Sequence, residues 1–357
     1  MNTITSSRET TTPPAPAPRI SRIVRWSGRA LLGLLALVAG LAAIGAIYQA
    51  AATASDQRAY PAPGQLVDVG GYKLHISCRG ASPASGATVV AESGLGSTSL
   101  DWSLVQPDIA QTTQMCVYDR AGFGWSESGP APRTSQQIAT ELHTLLHNAG
   151  IPGPYILVGH SIGGLHVQMY ASQYPGEVAG LVLLDPTPAA YFARLTAEER
   201  QAALPPTGIL RILQFIHPFG LTRLLDFGTW KTGMPLERLA PDIQRTVKAL
   251  SFKPTVPGAM YEEAAAMETS LAEVVAAKPL PADIPLIVLQ RGQVVGPPDL
   301  DAAGKAANAA LVERSANGRL IVAENSGHYI QFERPDLVIA AVRQVVQAAR
   351  TDQPLQP

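Results

Sequence analysis

Residues 155–164 read Tyr-Ile-Leu-Val-Gly-His-Ser-Ile-Gly-Gly, an apolar strand running directly into Gly159-His160-Ser161-Ile162-Gly163. Apolar spacing from Leu165 to Tyr174 continues as a helix until Pro175 stops it. A strand that turns into a helix within so few residues needs small neighbours, because the residue at the tip takes an unfavourable backbone angle. The consequence is a serine hydroxyl held above a sheet edge instead of inside it. Ser161 is therefore the candidate nucleophile, and the N–H of Ile162 is a candidate donor to an oxyanion formed when that hydroxyl attacks a carbonyl.

The N-terminal region sets where such a domain works. Arg19, Arg22, Arg25 and Arg29 precede a charge-free run of Ala, Leu, Val, Ile and Gly from Ala30 to Tyr48. About twenty apolar residues cross a bilayer as a helix. Residues 1–29 are expected to form a basic cytoplasmic tail and 30–52 a transmembrane or signal-anchor helix, with the remainder outside. A cleaved signal peptide ending near Ala52-Thr53-Ala54 would instead release a secreted domain, although its apolar core is normally only ~7–15 residues long. Only 15% of the 357 residues are charged and the net charge is −1, so nothing favours nucleic-acid binding. Cys78 and Cys116 lie in two extended segments; exported, they either pair as a disulfide or pack as buried small hydrophobes.

Beyond a Pro/Ala linker, strands alternate with helices. Gln65–Val69 and Tyr72–Cys78 read as a hairpin about Gly70-Gly71, and further strands fall at 88–91, 115–118, 155–158, 181–184, 284–289 and 319–323. Thr134 caps a helix with Ile138, Leu142, Leu145 and Leu146 on one face. The predicted fold is α/β: a mostly parallel eight-stranded sheet with helices on both faces, formed by 65–188 and 281–349. Residues 189–280 carry no strand-like run and read as a helical lid containing Phe192, Phe215, Phe219, Phe227 and Trp230.

Four segments carry a resemblance to the α/β-hydrolase fold superfamily. They are Ser93-Gly94-Leu95-Gly96, Asp119-Arg120-x-Gly122-x-Gly124-x-Ser126, the elbow at 159–163, and Gly327-His328. The resemblance spans roughly Gln65 to Ala349. Serine at the elbow departs from the haloalkane dehalogenase and epoxide hydrolase branches, which carry aspartate there. The resemblance implies that His328 is the base, that Leu95 supplies the second oxyanion N–H beside Ile162, and that Asp119-Arg120 is structural. The usual acid position after the strand at 286–289 has no carboxylate, since it reads Gln290-Arg291-Gly292. Asp185, at the end of the strand after the elbow helix, is the candidate acid, and Asp299 and Asp301 are its rivals. The remaining histidines (His75, His143, His147, His160, His166 and His217) read as packing or surface residues, with His160 or His166 near enough to brush the pocket.

The expected activity is cleavage of an ester, or an amide, with a hydrophobic acyl part, through an acyl-enzyme and without metal or other cofactor. The same triad could open lactones or C–C bonds. The alternative of another class is a membrane-tethered binding protein that keeps the fold without the chemistry. The intact elbow serine and loop histidine weigh against it, and an uncharged single span offers no channel or relay.

Overall fold

The computed structural model describes residues 22–82, 87–228 and 233–355. Arg19 and most of the basic tail, as well as Trp230, lie outside the described residues.

The first helix, α1, runs from Arg22 to Ala59. It extends the expected 30–52 segment at both ends, and no Gly or Pro interrupts its C-terminal extension between Ala46 and Ala59. From Val24 onward it is long enough to cross a membrane, and its most apolar 18-residue stretch has a mean hydropathy of 2.5.

The chain then builds an eight-stranded sheet in the order β1-β2-β4-β3-β5-β6-β7-β8. The strands are β1 (Gln65–Asp68), β2 (Lys73–Arg79), β3 (Thr88–Glu92), β4 (Met115–Tyr118), β5 (Tyr155–His160), β6 (Val178–Leu184), β7 (Leu286–Arg291) and β8 (Gly318–Ala323). β1, β2 and β4 pair antiparallel, and every other neighbour is parallel. At the first turn the Asp68 carboxylate accepts from the N–H groups of Gly70 and Gly71 at 2.9 and 3.1 Å. β7 begins two residues later than the apolar pattern suggests, since Pro285 has no N–H to give the ladder. Cys78 and Cys116 are register partners on β2 and β4 and form a disulfide. The thiols that the sequence left as either bonded or free are thus bonded.

Helices α2 (Ser135–Asn148) and α3 (Gly163–Gln173) cover one face of the sheet. Thr134 caps α2 through its hydroxyl, which accepts from Gln137 N–H. Between β6 and β7 comes an insertion whose longer helices are α4 (Thr207–Ile216), α5 (Pro241–Ser251), α6 (Val256–Ala265) and α7 (Met267–Ala276). Among its described residues there is no strand. α8 (Pro298–Ala309) follows β7, and α9 (Pro335–Thr351) closes the chain against the opposite face.

Strand alternation divides the core into two layers. Leu157, Leu181, Leu183 and Val288 pack with Leu142, Leu146, Leu165 and Tyr170 of α2 and α3. Ile156, Val158, Val182, Leu184 and Ile287 face the other way, onto Trp102 and onto Val338, Val342 and Val345 of α9. Burial on both faces explains why these strands are continuously apolar instead of alternating.

Candidate active site

After β3 the chain goes to β4 on one side, then crosses to β5 on the other side of β3. At such a reversal the loops leaving adjacent strand ends part and leave a crevice outside the carboxyl edge. Glu92 is the register partner of Gly159, so the loop from Ser93 and the turn at Ser161 leave the sheet side by side. His160 pairs with Leu184 and Leu184 with Leu289, which brings Asp185 and Arg291 to the same edge.

Ser161 sits at the tip of the elbow with φ +56°, a left-handed backbone that is uncommon for a residue with a Cβ. Its N–H donates to Leu184 O at 3.1 Å, and its own carbonyl accepts from Gly164 and Thr187 N–H, both at 3.0 Å. These bonds hold the strained turn. The side chains singled out from the sequence come together here. Ser161 Oγ lies 3.0 Å from His328 Nε2, and His328 Nδ1 lies 2.6 Å from Asp185 Oδ2. A neutral imidazole so placed can take the hydroxyl proton at Nε2 while the carboxylate holds Nδ1–H. Burial by itself would raise the Asp185 carboxyl. The hydrogen bond and charge of His328, and then Arg291, outweigh it and hold the group below its ordinary value.

The rival carboxylates do not reach the imidazole. Asp301 accepts from Arg291 Nη2 at 2.7 Å and pairs with Lys305 at 2.9 Å, while Asp299 is exposed in the first turn of α8. Arg291 in turn donates to Asp185 Oδ2 at 2.5 Å. At the end of β7, where the usual pattern puts a carboxylate in the following loop, Arg291 is a cation paired with the Asp185 carboxylate just after β6. The sequence reading missed that pairing, which joins residues far apart in the chain.

His160 lies beneath the imidazole. Its Nε2 is 2.9 Å from the His328 carbonyl oxygen, and the two rings are 4.7 Å apart between centroids. Burial pushes its pKa down to about 3, so it is a neutral donor that holds the loop by its main chain. Gly327 N–H is likewise held, by Glu333 at 2.5 Å. His166 is also buried, with Nδ1 2.9 Å from the Ser135 hydroxyl.

The loop carrying Leu95 is clamped from below. Arg120 donates to the carbonyls of Ser93 and Gly94 at 2.7 and 2.8 Å, to Glu92 at 2.5 Å, and to both oxygens of Glu263 on α6. With two carbonyls turned towards Arg120, the loop comes so near the elbow that a Cβ on Gly94 would lie 3.3 Å from that of Ser161. Asp119 does the same work next door, accepting from Ser99 N–H at 2.7 Å, His75 at 2.8 Å and Trp125 N–H at 3.1 Å. The Asp119-Arg120 pair is thus structural in its contacts. Arg120→Ala would leave Glu92 and Glu263 as unpaired buried carboxylates and is expected to cost about 3–5 kcal/mol of stability. A urea titration in detergent measures it.

Asp101, in the same loop region, is 1% exposed. Burial pushes its carboxyl up to about 7 from an ordinary value of 3.8. The folded state therefore favours the protonated form. That contribution to stability is complete below about pH 4 and is lost as the pH rises through 7. Asp101→Asn, which removes the charge and keeps the shape, should raise the melting temperature at pH 8, less at pH 5, and leave it unraised below about pH 4, as scanning fluorimetry would register.

This sheet, elbow and carboxyl-edge site define the class. The chain belongs to the alpha/beta hydrolase family, whose model matches residues 89–341. It is 37% identical over 118 residues to the uncharacterized protein YqjL of Bacillus subtilis, across 33% of this chain and 46% of that one. It is 29% identical over 151 residues to the (lyso)-N-acylphosphatidylethanolamine lipase of Bos taurus, across 40% of this chain and 42% of the lipase. The matched region thus spans less than half the length of either relative. Among solved structures, a thermophilic esterase from Thermogutta terrifontis is similar in fold, with a TM-score of 0.58 and 19% identity, covering 80% of this chain and 98% of the esterase.

Proposed function

We propose that the protein is a membrane-anchored serine hydrolase that cleaves carboxylic esters with a hydrophobic acyl part. Ser161 Oγ attacks the ester carbonyl as His328 Nε2 takes its proton. The tetrahedral oxyanion is held by the N–H groups of Leu95 and Ile162. On collapse the C–O bond to the alcohol breaks, and the imidazolium gives that proton to the departing alkoxide. A water molecule then attacks the acyl-enzyme with His328 again as base, releasing the acid and restoring Ser161. Asp185 fixes the tautomer throughout, and Arg291 holds Asp185.

The observation that carries this reading is the pair of contacts joining Ser161, His328 and Asp185 at 3.0 and 2.6 Å. The choice of a hydrophobic acyl ester draws on the apolar insertion, which we assign as a lid over 189–280, and on the likeness to a lipase. The anchor reading draws on the apolar length of α1, with Arg22, Arg25 and Arg29 on the cytoplasmic side. The Cys78–Cys116 disulfide fits a domain on the oxidising side.

A fluorophosphonate probe tests the chemistry. Purified full-length protein should be labelled, with the adduct mapped by peptide mass to Ser161, and an acyl series of p-nitrophenyl esters should favour medium over acetyl chains. Folded protein that fails to react would refute the hydrolase assignment.

A further inference from the structure

The insertion does not pack only on the sheet; it is also bolted to α1. A Cβ placed on Gly45 would lie 2.1 Å from the Phe219 carbonyl oxygen, so the turn after α4 rests directly on the helix backbone there. Four residues on, Gln49 Nε2 donates to Phe252 O at 2.8 Å, and Arg223 pairs with Asp56 at 2.8 Å. These contacts fix the depth at which the insertion stands. Gly45 falls inside the apolar run, roughly 22 Å along the helix from Ala30, and a bilayer core is about 30 Å thick. The part of the insertion seated on Gly45 therefore lies at the depth of the outer leaflet of the membrane that α1 crosses.

The part of the insertion at that level is apolar and exposed. On α4, Ile209, Ile212 and Phe215 share one face and are 51%, 57% and 74% exposed. Phe215 meets Phe219 edge-on, with ring centroids 6.1 Å apart, which links this face to the contact on Gly45. Leu221, Leu224 and Leu225 continue the patch beyond the turn, Leu224 being 73% exposed. The face is not needed for packing within the protein. Leu210 and Leu213, on the other side of α4, line an apolar cavity of about 290 Å³ inside the insertion.

We infer that this face of the insertion is embedded in the outer leaflet of the bilayer, a second membrane contact beside α1. Its ligand is the acyl and headgroup boundary of a phospholipid bilayer, entered by Ile209, Ile212, Phe215 and Leu224. Apolar side chains, not charge, make the contact, since Arg223 is already neutralised by Asp56. The inference rests on the anchor reading of α1, and deepens it by placing the lid where an acyl substrate resides.

Both native cysteines are in the disulfide, so an introduced cysteine is a unique labelling site. Full-length protein carrying Leu224→Cys, Phe215→Cys, Leu37→Cys or Gln347→Cys would be labelled with an environment-sensitive fluorophore. Each is reconstituted in phosphatidylcholine nanodiscs and quenched by nitroxide-bearing lipid or by aqueous iodide. Positions 224 and 215 should be quenched by the lipid nitroxide roughly threefold more than the distant site 347, and be shielded from iodide. Lipid quenching at 37 with iodide quenching at 224 and 215 would overturn the inference and leave the anchor standing. Shielding of 224 and 215 from both quenchers would mean that protein, such as a second copy, covers the face, and would overturn it too. Absence of lipid quenching at 37 would remove the anchor reading itself and the inference with it.

Discussion

Ser161→Ala is expected to lower ester turnover by about 10⁴–10⁶-fold while leaving the fold intact. The loss is large because, in the proposed mechanism, this hydroxyl forms the acyl-enzyme; His328 without it has no proton to take and no covalent intermediate to resolve. What remains is stabilisation by the oxyanion donors and by substrate binding. The fold should tolerate the change, since Ser161 is held by main-chain bonds through its N–H and C=O and is only partly buried. Alanine keeps the Cβ that the φ of +56° already tolerates. Initial rates on a p-nitrophenyl ester, beside a thermal melt of the same sample, separate lost chemistry from lost structure. A variant that melts like the parent and retains more than about one hundredth of its rate would not fit the acyl-enzyme mechanism.

Asp185→Asn should cost about 10³–10⁴-fold in kcat, against less than about tenfold for Asp301→Asn. An amide at 185 can present its NH₂ to His328 Nδ1 and so favour the tautomer with the proton on Nε2, where the base must be free. It also leaves Arg291 facing a neutral group. The Asp301 carboxylate pairs with Arg291, Lys305 and the Val295 N–H, so its loss loosens the brace without removing the contact to the imidazole. The contrast is read in kcat at saturating ester. Equal losses in the two variants would mean that the acid is shared through Arg291 instead of residing at 185.

How legible each part was depends on the range of the interactions that decide it. β4 occupies 115–118 as its pattern implied, and the elbow reads directly from a strand, a Gly-x-Ser-x-Gly turn and a helix within twenty residues. Such features follow from local backbone preference and short-range periodicity. The identity of the acid does not. Asp185 was the candidate from its place at a strand end, with Asp299 and Asp301 as rivals, but no short-range pattern says which carboxylate faces His328. Arg120 presents the same difficulty, since its partners Glu92 and Glu263 are far from it in sequence and meet it only through the sheet and α6.

The sequence by itself determined the class of fold, the strained serine turn, the loop histidine and an apolar N-terminal helix. Each is written in consecutive residues or in one repeating period. Only the tertiary structure decided that Asp185 reaches the imidazole, that Arg291 braces it, that Cys78 meets Cys116, and that the insertion is seated on Gly45. These depend on the order in which strands lie side by side and on which surfaces are left to pack. That order is chosen by burial across the whole core, a sum over distant residues that no single stretch of the chain contains.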